Sequence, residues 1–337
     1  MPSHQGIFLN LLRSVTLSNQ QGMVVEILNL GARIKSIKFP IAGINTEMTL
    51  GYLNAIDYIN DDYYLGATCG RVCNRIENSQ FDIGEERFYL SKNDGENCLH
   101  GGENNFSTRM WQVVRSSGTE VTLDLESPDG DQGFPGHLLV NVTYSLNDKN
   151  ALEIRYTARS NKPTPINLTN HTYFSLGEKS AENLALKIDS STMLERKENG
   201  LPSGSVLDVK NTDFDFTDFR NIGDSHQNAS DELLKLMQCY DHCMVFNKVA
   251  SQKNRRPNAS LLSVNNKVIM NLYTDQLAVQ FYSGVALGGQ FKPYQGVCLE
   301  AQNYSNALNI NHFPNSLLFP NVEYRKKIIY EFEGICN

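Results

Sequence analysis

The sequence has no excess of positive charge. Among its 337 residues, 30 Lys and Arg stand against 37 Asp and Glu, which gives a formal net charge of −7. A nucleic-acid partner is not expected, because binding to phosphates needs a basic face that releases counterions. With 40% hydrophobic and 20% charged residues, the composition is typical of a globular protein. A mildly acidic globular chain suits a small-molecule ligand.

A long apolar segment is also missing. The longest uncharged stretch, residues 301–322, is rich in Asn and contains two prolines, so it would not be stable in hydrocarbon. No basic region precedes the short apolar stretch 7–12, so a signal peptide is not expected. The sequence therefore predicts a cytoplasmic protein that does not cross a membrane.

The seven cysteines do not form a zinc pattern. Cys69 and Cys73 are four residues apart, as are Cys239 and Cys243, and no second cluster completes a set of four ligands. The motifs GxSxG, HExxH, GxGxxG, the P-loop and the EF-hand are absent as well. We expect reduced, mostly buried thiols and no metal site.

The dominant hydrophobic period is two, which is typical of β strands. Turn-forming sequences separate the alternating segments, and only residues 230–238 predict a helix, with Ser230 or Asp231 as its N-cap. Many short strands with almost no helix predict an all-β fold, a large antiparallel sandwich or barrel. No repeat or linker divides residues 1–337, which predicts one domain. The clearest alternating segments are 121–125, 139–144, 152–156, 184–188 and 327–332.

Three long loops are expected at residues 91–108, 126–137 and 303–323. They contain Gly, Asn, His and Asp without low-complexity bias. Loops of this length inside a compact protein often serve its function, so we expect all three to do so.

Polar residues occupy one face of a predicted strand at 166–174. Alternation places Asn167, Thr169, His171 and Tyr173 on that face. This face suits either a pocket for a hydroxyl-rich ligand or a solvent-exposed strand with a hydrogen-bonded histidine.

Glu300 lies in the apolar segment VCLEAQ at 297–302. It belongs either to a solvated edge or to a cleft in which desolvation raises its pKa. Gln280 and Tyr282 point in one direction from a nearby strand. Three short clusters add Arg75, His100 and Asp241, and this inventory of polar groups suits proton transfer on a neutral polyol.

Six motifs occur in an order that is similar to one known family: GRVCNRI (70–76), LHGG (99–102), GDQGFPG (130–136), NLTNHTYFSL (167–176), DHC (241–243) and LEAQ (299–302). From about residue 20 onward, the chain resembles the aldose 1-epimerases, or galactose mutarotases. It departs from the usual family pattern at Ser175, at Ala301, in Asn105-Phe106 and in PNVE at 320–323.

The resemblance implies a large single-domain antiparallel β-sandwich, the galactose mutarotase-like supersandwich, with very few short helices. It implies an enzyme that interconverts the α and β anomers of free hexoses such as galactose and glucose without a cofactor. Glu300 would be the general base and His171 the general acid. The positions that match the family's sugar-binding residues are Asn74, Arg75, His100, Thr172, Tyr173, Asp241 and Gln280.

Two alternatives remain open at this point. A non-catalytic carbohydrate-binding protein would need neither Glu300 nor His171. A glycoside hydrolase would use Glu300 and Asp241 as its pair of carboxylates. No feature of the sequence indicates which oligomeric state the protein has.

Overall fold

Strands form most of the regular structure in the computed structural model, which describes residues 11–247 and 256–335. The first strands are β1 Ser14–Ser18, β2 Val24–Leu28, β3 Arg33–Ile41, β4 Ile44–Glu47, β5 Thr68–Cys69, β6 Arg75–Ile76, β7 Gln80–Ile83, β8 Glu86–Tyr89, β9 Cys98–Leu99, β10 Gln112–Ser116, β11 Glu120–Ser127, β12 Leu138–Leu146, β13 Ala151–Ser160 and β14 Thr164–Pro165. The strands that follow are β15 Thr169–Asn170, β16 Tyr173–Phe174, β17 Leu184–Ile188, β18 Thr192–Arg196, β19 Pro202–Asp208, β20 Arg220–Asn221, β21 Asp241–Val245, β22 Ala259–Ser263, β23 Val268–Thr274, β24 Ala278–Tyr282, β25 Val297–Gln302, β26 Leu317–Leu318 and β27 Tyr324–Gly334. Between residues 14 and 247 the α helices are α1 Ile222–Gln227 and α2 Glu232–Met237.

The larger sheet has the strand order β10-β11-β12-β13-β27-β23-β22-β17-β20. Its neighbouring strands are antiparallel, and the long strands β12, β13 and β27 lie side by side. Along β13, Leu152, Ile154 and Tyr156 are buried while the residues between them are more exposed. The period-two prediction for residues 121–125, 139–144 and 152–156 is therefore confirmed.

A second sheet has the order β16-β25-β24-β21-β18-β19, again with antiparallel neighbours. Every residue of β25 is buried. Val297, Leu299 and Ala301 join the main hydrophobic core, so the alternate residues Cys298 and Glu300 point to the opposite face of the sheet.

The two sheets pack on each other. Their apolar residues belong to one hydrophobic cluster, in which Tyr156 of β13 and Phe281 of β24 are both members. The rings of Phe174 in β16 and Tyr330 in β27 are 4.8 Å apart. Since the larger sheet ends at β10 and β20, which do not pair with each other, the fold is a sandwich and not a barrel. This confirms the predicted all-β architecture.

Smaller sheets accompany the two large ones. Strands β1 to β4 form one sheet in chain order, and the pairs β5–β15, β6–β9, β7–β8 and β14–β26 are separate. Two of these pairs, β5–β15 and β6–β9, hold loops beside the second sheet.

Helix is scarce, as predicted, but one short helix was not foreseen. The predicted helix at 230–238 is present as α2, with the Asp231 carboxylate accepting a hydrogen bond from the Leu234 amide at 2.9 Å. No sequence signal predicted α1, since its residues IGDSHQ include Gly, Asp and Ser, which are weak helix formers. No helix among the described residues is long and apolar enough to cross a membrane.

The predicted continuous strand at 166–174 is wrong, because the segment pairs with two different partners. Thr169 and Asn170 pair with β5, whereas Tyr173 and Phe174 pair with β25. The Asn167 side chain accepts a hydrogen bond from the Asn303 amide at 2.9 Å, and the Thr169 hydroxyl donates to the Ala301 carbonyl at 2.8 Å. Half of the predicted polar face therefore binds the protein's own backbone.

A buried ion pair anchors the segment 61–66. Arg33 Nη1 lies 2.6 Å from Asp61 Oδ2, and the two side chains are 2% and 0% exposed. The Arg33 guanidinium also donates to the carbonyls of Leu30, Leu65 and Ser107. These contacts bring the end of β2, residues 61–66 and residue 107 together around one charge.

Replacing Arg33 by Met should strongly destabilise the protein. The substitution leaves the Asp61 carboxylate buried without its cation, which costs about 3–5 kcal/mol of the free energy of unfolding. Equilibrium unfolding in guanidinium chloride measures the loss. Arg87→Met is the matched control, since the Arg87–Asp82 pair is half exposed, and it should leave the midpoint almost unchanged. Equal midpoints for the two variants would contradict the anchoring role.

Candidate active site

A cavity of about 390 Å³ lies beside the second sheet, on the face opposite the main core. Its walls come from strands, from the loops before β6 and after β9, and from the end of α2. The lining residues are Asp62, Tyr63, Tyr64, Asn74, Arg75, Leu99, His100, His171, Tyr173, Arg196, Met237, Cys239, Asp241, Gln280, Tyr282, Val285, Ala286 and Glu300.

A larger concavity of about 550 Å³ lies elsewhere, over β11 to β13. Its lining includes Asp124, Glu126 and Arg159 but no histidine. The smaller cavity brings together most of the residues that the sequence selected, so it is the candidate active site.

Five neighbouring strands each supply at least one polar residue to this cavity. In sheet order these are Tyr173 from β16, Glu300 from β25, Gln280 from β24, Asp241 from β21 and Arg196 from β18. Gln280 lies directly opposite Glu300 in the β24–β25 register. Neighbouring strands are about 4.8 Å apart, so the five side chains form a row along the sheet. Four of the five were selected from the sequence, and Arg196 was not.

The facing wall is held by two loops that bond to each other. The Asn74 amide donates to His100 Nδ1 at 3.2 Å, and the His100 amide donates to the Asn74 carbonyl at 3.1 Å. Asn74 and His100 both have left-handed backbones, with φ values of 61° and 52°, and Tyr64 has a φ of 58°. Such conformations are costly for residues with a side chain, and they cluster at functional sites.

Glu300 and His171 form a close pair at the floor of the cavity. Glu300 Oε1 is 3.6 Å from His171 Nε2, and the two residues are 3% and 5% exposed. Glu300 Oε2 is buried without a hydrogen-bond partner among the described residues. One carboxylate oxygen therefore faces the histidine while the other is free to accept a proton.

Burial shifts the pKa values of these two groups in opposite directions. It raises the pKa of Glu300 well above its ordinary value, and the charge of Asp241 adds to this effect while that of Arg75 opposes it. Burial lowers the pKa of His171 to about 4, although a backbone hydrogen bond and Asp241 oppose this shift. Both shifts favour the uncharged form of each group.

His100 is a neutral hydrogen-bond donor. Its Nδ1 accepts the Asn74 amide, so in the neutral ring Nε2 carries the proton. Burial, together with the nearby His171 and Arg75, lowers the pKa of His100 well below its ordinary value. This tautomer offers an N–H group to a ligand oxygen.

The same tautomer bears on metal binding. His100, His171 and Glu300 bring one ligand atom each to within 4.8 Å of one another, as a metal site would. A histidine ligand needs one bare nitrogen and normally donates from the other. In His100 one nitrogen already accepts a hydrogen bond and the other carries the proton, so this set of donors suits proton transfer better than a divalent metal.

Asp241 is held as a carboxylate from two sides. Its Oδ1 accepts from Gln280 Nε2 at 2.7 Å, and its Oδ2 lies 3.1 Å from Arg196 Nη2. Burial would raise the pKa of Asp241, but the charges of Arg196 and Arg75, with the Gln280 bond, hold it below its ordinary value. The resulting carboxylate only accepts hydrogen bonds, which suits it to bind hydroxyl groups.

Some of the expected site residues lie outside the cavity lining. The Thr172 hydroxyl donates to Asn170 Oδ1 at 2.6 Å instead. Loop 91–108 contributes Leu99 and His100, but loops 126–137 and 303–323 contribute none of the lining residues. The buried Arg71 guanidinium donates to the carbonyls of Pro135 and Gly136, which ties loop 126–137 to the protein interior. The functional role expected of these two loops stays a prediction.

Other lining residues were missed by the sequence analysis. The Tyr64 ring packs 4.6 Å from that of His100 and 5.7 Å from that of His171, as measured between ring centres. Tyr64 follows no periodic pattern, since its position depends on the Arg33–Asp61 anchor. Met237 and Cys239 enter the wall only because α2 ends there.

Comparisons with known proteins agree with this geometry. The family model described as aldose 1-epimerase matches residues 13–331. The aldose 1-epimerase of Escherichia coli K12 is 36% identical over 332 residues, which is 95% of each chain.

Solved structures are similar as well. An aldose epimerase homologue from C. elegans superposes with a TM-score of 0.90 at 28% identity, covering 96% of this chain and 100% of that one. The galactose 1-epimerase of Lactobacillus acidophilus gives a TM-score of 0.86 at 30% identity, covering 96% and 95%.

Glu300→Gln should stabilise the fold increasingly as the pH rises. The carboxyl group ionises near 4.5 in the unfolded chain but at a higher pH when folded, so the wild type loses stability above pH 4.5. Glutamine does not titrate. The stability difference should therefore grow by up to about 1.4 kcal/mol per pH unit until the folded pKa is reached.

Urea unfolding of both proteins between pH 4 and pH 9 measures this difference. The exposed turn residue Glu85 provides the control variant Glu85→Gln, which should show no such divergence from the wild type. Parallel curves for Glu300→Gln and the wild type would contradict the desolvation of Glu300.

Proposed function

The chain belongs to the aldose 1-epimerase family, and we propose that Glu300 and His171 are the acid–base pair of its reaction. The protein is an enzyme of the isomerase class, and its reaction interconverts the α and β anomers of an aldose. The observation that carries the residue assignment is the 3.6 Å contact between two buried titratable groups at the cavity floor.

Each group has one step in the reaction. The reacting form of the pair is the one in which its proton lies on His171. Glu300, as the carboxylate, then takes the proton of the anomeric hydroxyl, while His171, as the imidazolium, gives its Nε2 proton to the ring oxygen. The C1–O bond of the ring breaks and leaves the open-chain aldehyde. After rotation about the C1–C2 bond, the same two protons return in reverse and close the ring as the other anomer.

The opposite pKa shifts strengthen both steps. A carboxylate with a raised pKa is a stronger base, and an imidazolium with a lowered pKa is a stronger acid. One proton moves from the histidine to the sugar and another from the sugar to the glutamate, so the solvent need not supply any.

The remaining groups would bind the sugar. Asp241 accepts hydrogen bonds from its hydroxyls, and the His100 N–H and Arg75 stabilise charge that develops near C1 and the ring oxygen. Asn74, Tyr173 and Gln280 line the site. Thr172 acts only through Asn170, whose amide fixes the Gly66 carbonyl at 2.9 Å.

Neither alternative function is favoured. A glycoside hydrolase would need Asp241 as a second reacting carboxylate, but both of its oxygens are bound, to Gln280 and Arg196. A binding module would have no use for a buried acid–base pair at van der Waals distance.

The same contacts bear on the substrate, and other features bear on the location and the domain organisation. We propose free hexoses such as galactose and glucose as substrates, because both cavity arginines are paired, Arg75 with Asp94 and Arg196 with Asp241. Neither is then left over for a phosphate. The buried free thiols suit a cytoplasmic location, and we keep a single domain as the proposed organisation.

Glu300→Gln and His171→Asn should each lower turnover at least about a hundredfold, because a general acid or base contributes about 10²–10⁴-fold. Polarimetry of freshly dissolved α-D-galactose and α-D-glucose measures the rate of anomer equilibration. Circular dichroism checks that the variants are folded, and the exposed control Glu85→Gln should retain wild-type turnover.

Two results would count against this function. If the wild type accelerates neither sugar, the substrate proposal fails. If either variant keeps near wild-type turnover, the assigned role of that residue is wrong. Release of reducing sugar from a disaccharide would instead support the hydrolase.

Asp241→Asn should move the pH profile of kcat/KM to lower pH. Burial is the main cause of both shifts, but the Asp241 charge raises the pKa of Glu300 and of His171. Removing that charge lowers both pKa values, so both limbs of the profile shift in the acid direction. Polarimetry from pH 4 to pH 9 measures the limbs, with Asp82→Asn at an exposed hairpin as the control. A shift of either limb to higher pH would contradict this coupling.

A further inference from the structure

Arg196 reaches the cavity from β18, a strand that supplies no other group to the proposed reaction. We propose that Arg196 is a positioning residue for sugar binding, which fixes the Asp241 carboxylate so that it can accept the sugar's hydroxyl groups. This inference rests on the proposed function and extends it by one residue.

An irregularity in the sheet directs Arg196 to its position. The β18–β19 pairing shifts register between Leu194 and Arg196, so that Arg196 lies opposite Pro202. Irregularities of this kind redirect side chains and are frequent beside active sites. On the other side of β18, the pairing with β21 brings the strand that begins at Asp241 alongside.

The contacts of Arg196 centre on Asp241. Arg196 Nη2 lies 3.1 Å from Asp241 Oδ2, and the side chains are 11% and 19% exposed. Arg196 Nη1 donates to the Lys197 carbonyl at 3.0 Å and contacts the Met237 sulfur at the end of α2. Arg196 Nε is buried without a hydrogen-bond partner among the described residues. The guanidinium therefore keeps its ion pair with Asp241 although its Nε donor has no partner, which indicates that the ion pair determines its position.

The other cavity arginine cannot take over this task. Arg75 Nε is bound to Asp94 Oδ2 at 2.7 Å, and the Arg75 guanidinium is confined by Gly200, where an added Cβ would lie 2.9 Å from it. Without Arg196, Gln280 would be the remaining side-chain partner of Asp241 among the described contacts. A single amide would leave the carboxylate free to rotate, with only the more distant charge of Arg75 to compensate for its burial.

The expected effect falls on binding more than on chemistry. Arg196 makes no described hydrogen bond or ion pair with Glu300 or His171, whereas the Asp241 carboxylate would contact the sugar before and during ring opening. An interaction made equally in both states changes KM and leaves kcat nearly constant.

The test uses the full-length enzyme and freshly dissolved α-D-galactose in polarimetric assays. Arg196→Met, which keeps the apolar stem, should raise KM about tenfold or more while kcat changes less than threefold. Arg196→Lys keeps the charge but not the planar fork, so its KM should lie between those of Arg196→Met and the wild type. Arg87→Met, at an exposed ion pair outside the cavity, is the matched control and should retain the wild-type KM.

A double-mutant cycle with Asp241→Asn separates positioning from a general structural effect. If Arg196 acts through Asp241, then Arg196→Met and Arg196→Lys should each change KM less than threefold in the Asp241→Asn background. The cycle can be completed with the lysine variant alone if the methionine variant does not fold.

The two proposals fail in different ways. A wild type that does not accelerate equilibration overturns the proposed function. An active wild type overturns the role of Arg196 under either of two results. In one, the folded Arg196 variants keep the wild-type KM, and in the other, they raise KM equally with and without the Asp241 carboxylate.

Discussion

The desolvation of one carboxyl group, that of Glu300, is the constraint on which the site depends. The residue lies in β25, where Val297, Leu299 and Ala301 enter the main core and Glu300, on the opposite face, lines the cavity. Because a strand has a period of two, the residues that make β25 part of the core also fix the side on which Glu300 lies. The proton affinity of the site therefore follows from the packing of the sandwich.

The other groups of the cavity act on that carboxyl group. His171 faces one of its oxygens, and Asp241 adds a negative charge that favours protonation of both members of the pair. Arg75 opposes this effect at Glu300 while it is itself paired to Asp94. The site thus combines a core strand, which supplies low polarity, with loop and edge groups that adjust where the proton resides.

Much of this could be predicted from the sequence where periodicity governs the structure. The long strands and the outward position of Glu300 follow from alternation, and the family motifs selected His171, His100 and Asp241. The segment 166–174 did not follow this rule, because its two halves pair with different strands and a period of two continues only along one ladder. The resemblance also placed Thr172 in the site, although its hydroxyl is bound to Asn170.

The residues that were missed depend on tertiary structure. Tyr64 owes its position to a buried ion pair between Arg33 and Asp61, and these two residues are distant from each other in the sequence. Arg196 owes its position to a register shift in β18, and no local sequence pattern predicts that shift. The sequence also does not predict the left-handed backbones of Asn74 and His100, because neither residue is a glycine. The predicted single domain remains a prediction.

The row of polar residues on successive strands has an evolutionary consequence. Tyr173, Glu300, Gln280, Asp241 and Arg196 enter from five successive strands of one sheet, and hydrogen bonds between the backbones fix the spacing of those strands. A substitution at Gln280 can alter which hydroxyls are recognised without displacing the strand that carries the base. Sugar preference can therefore diverge among descendants of this enzyme while its proton chemistry is inherited unchanged.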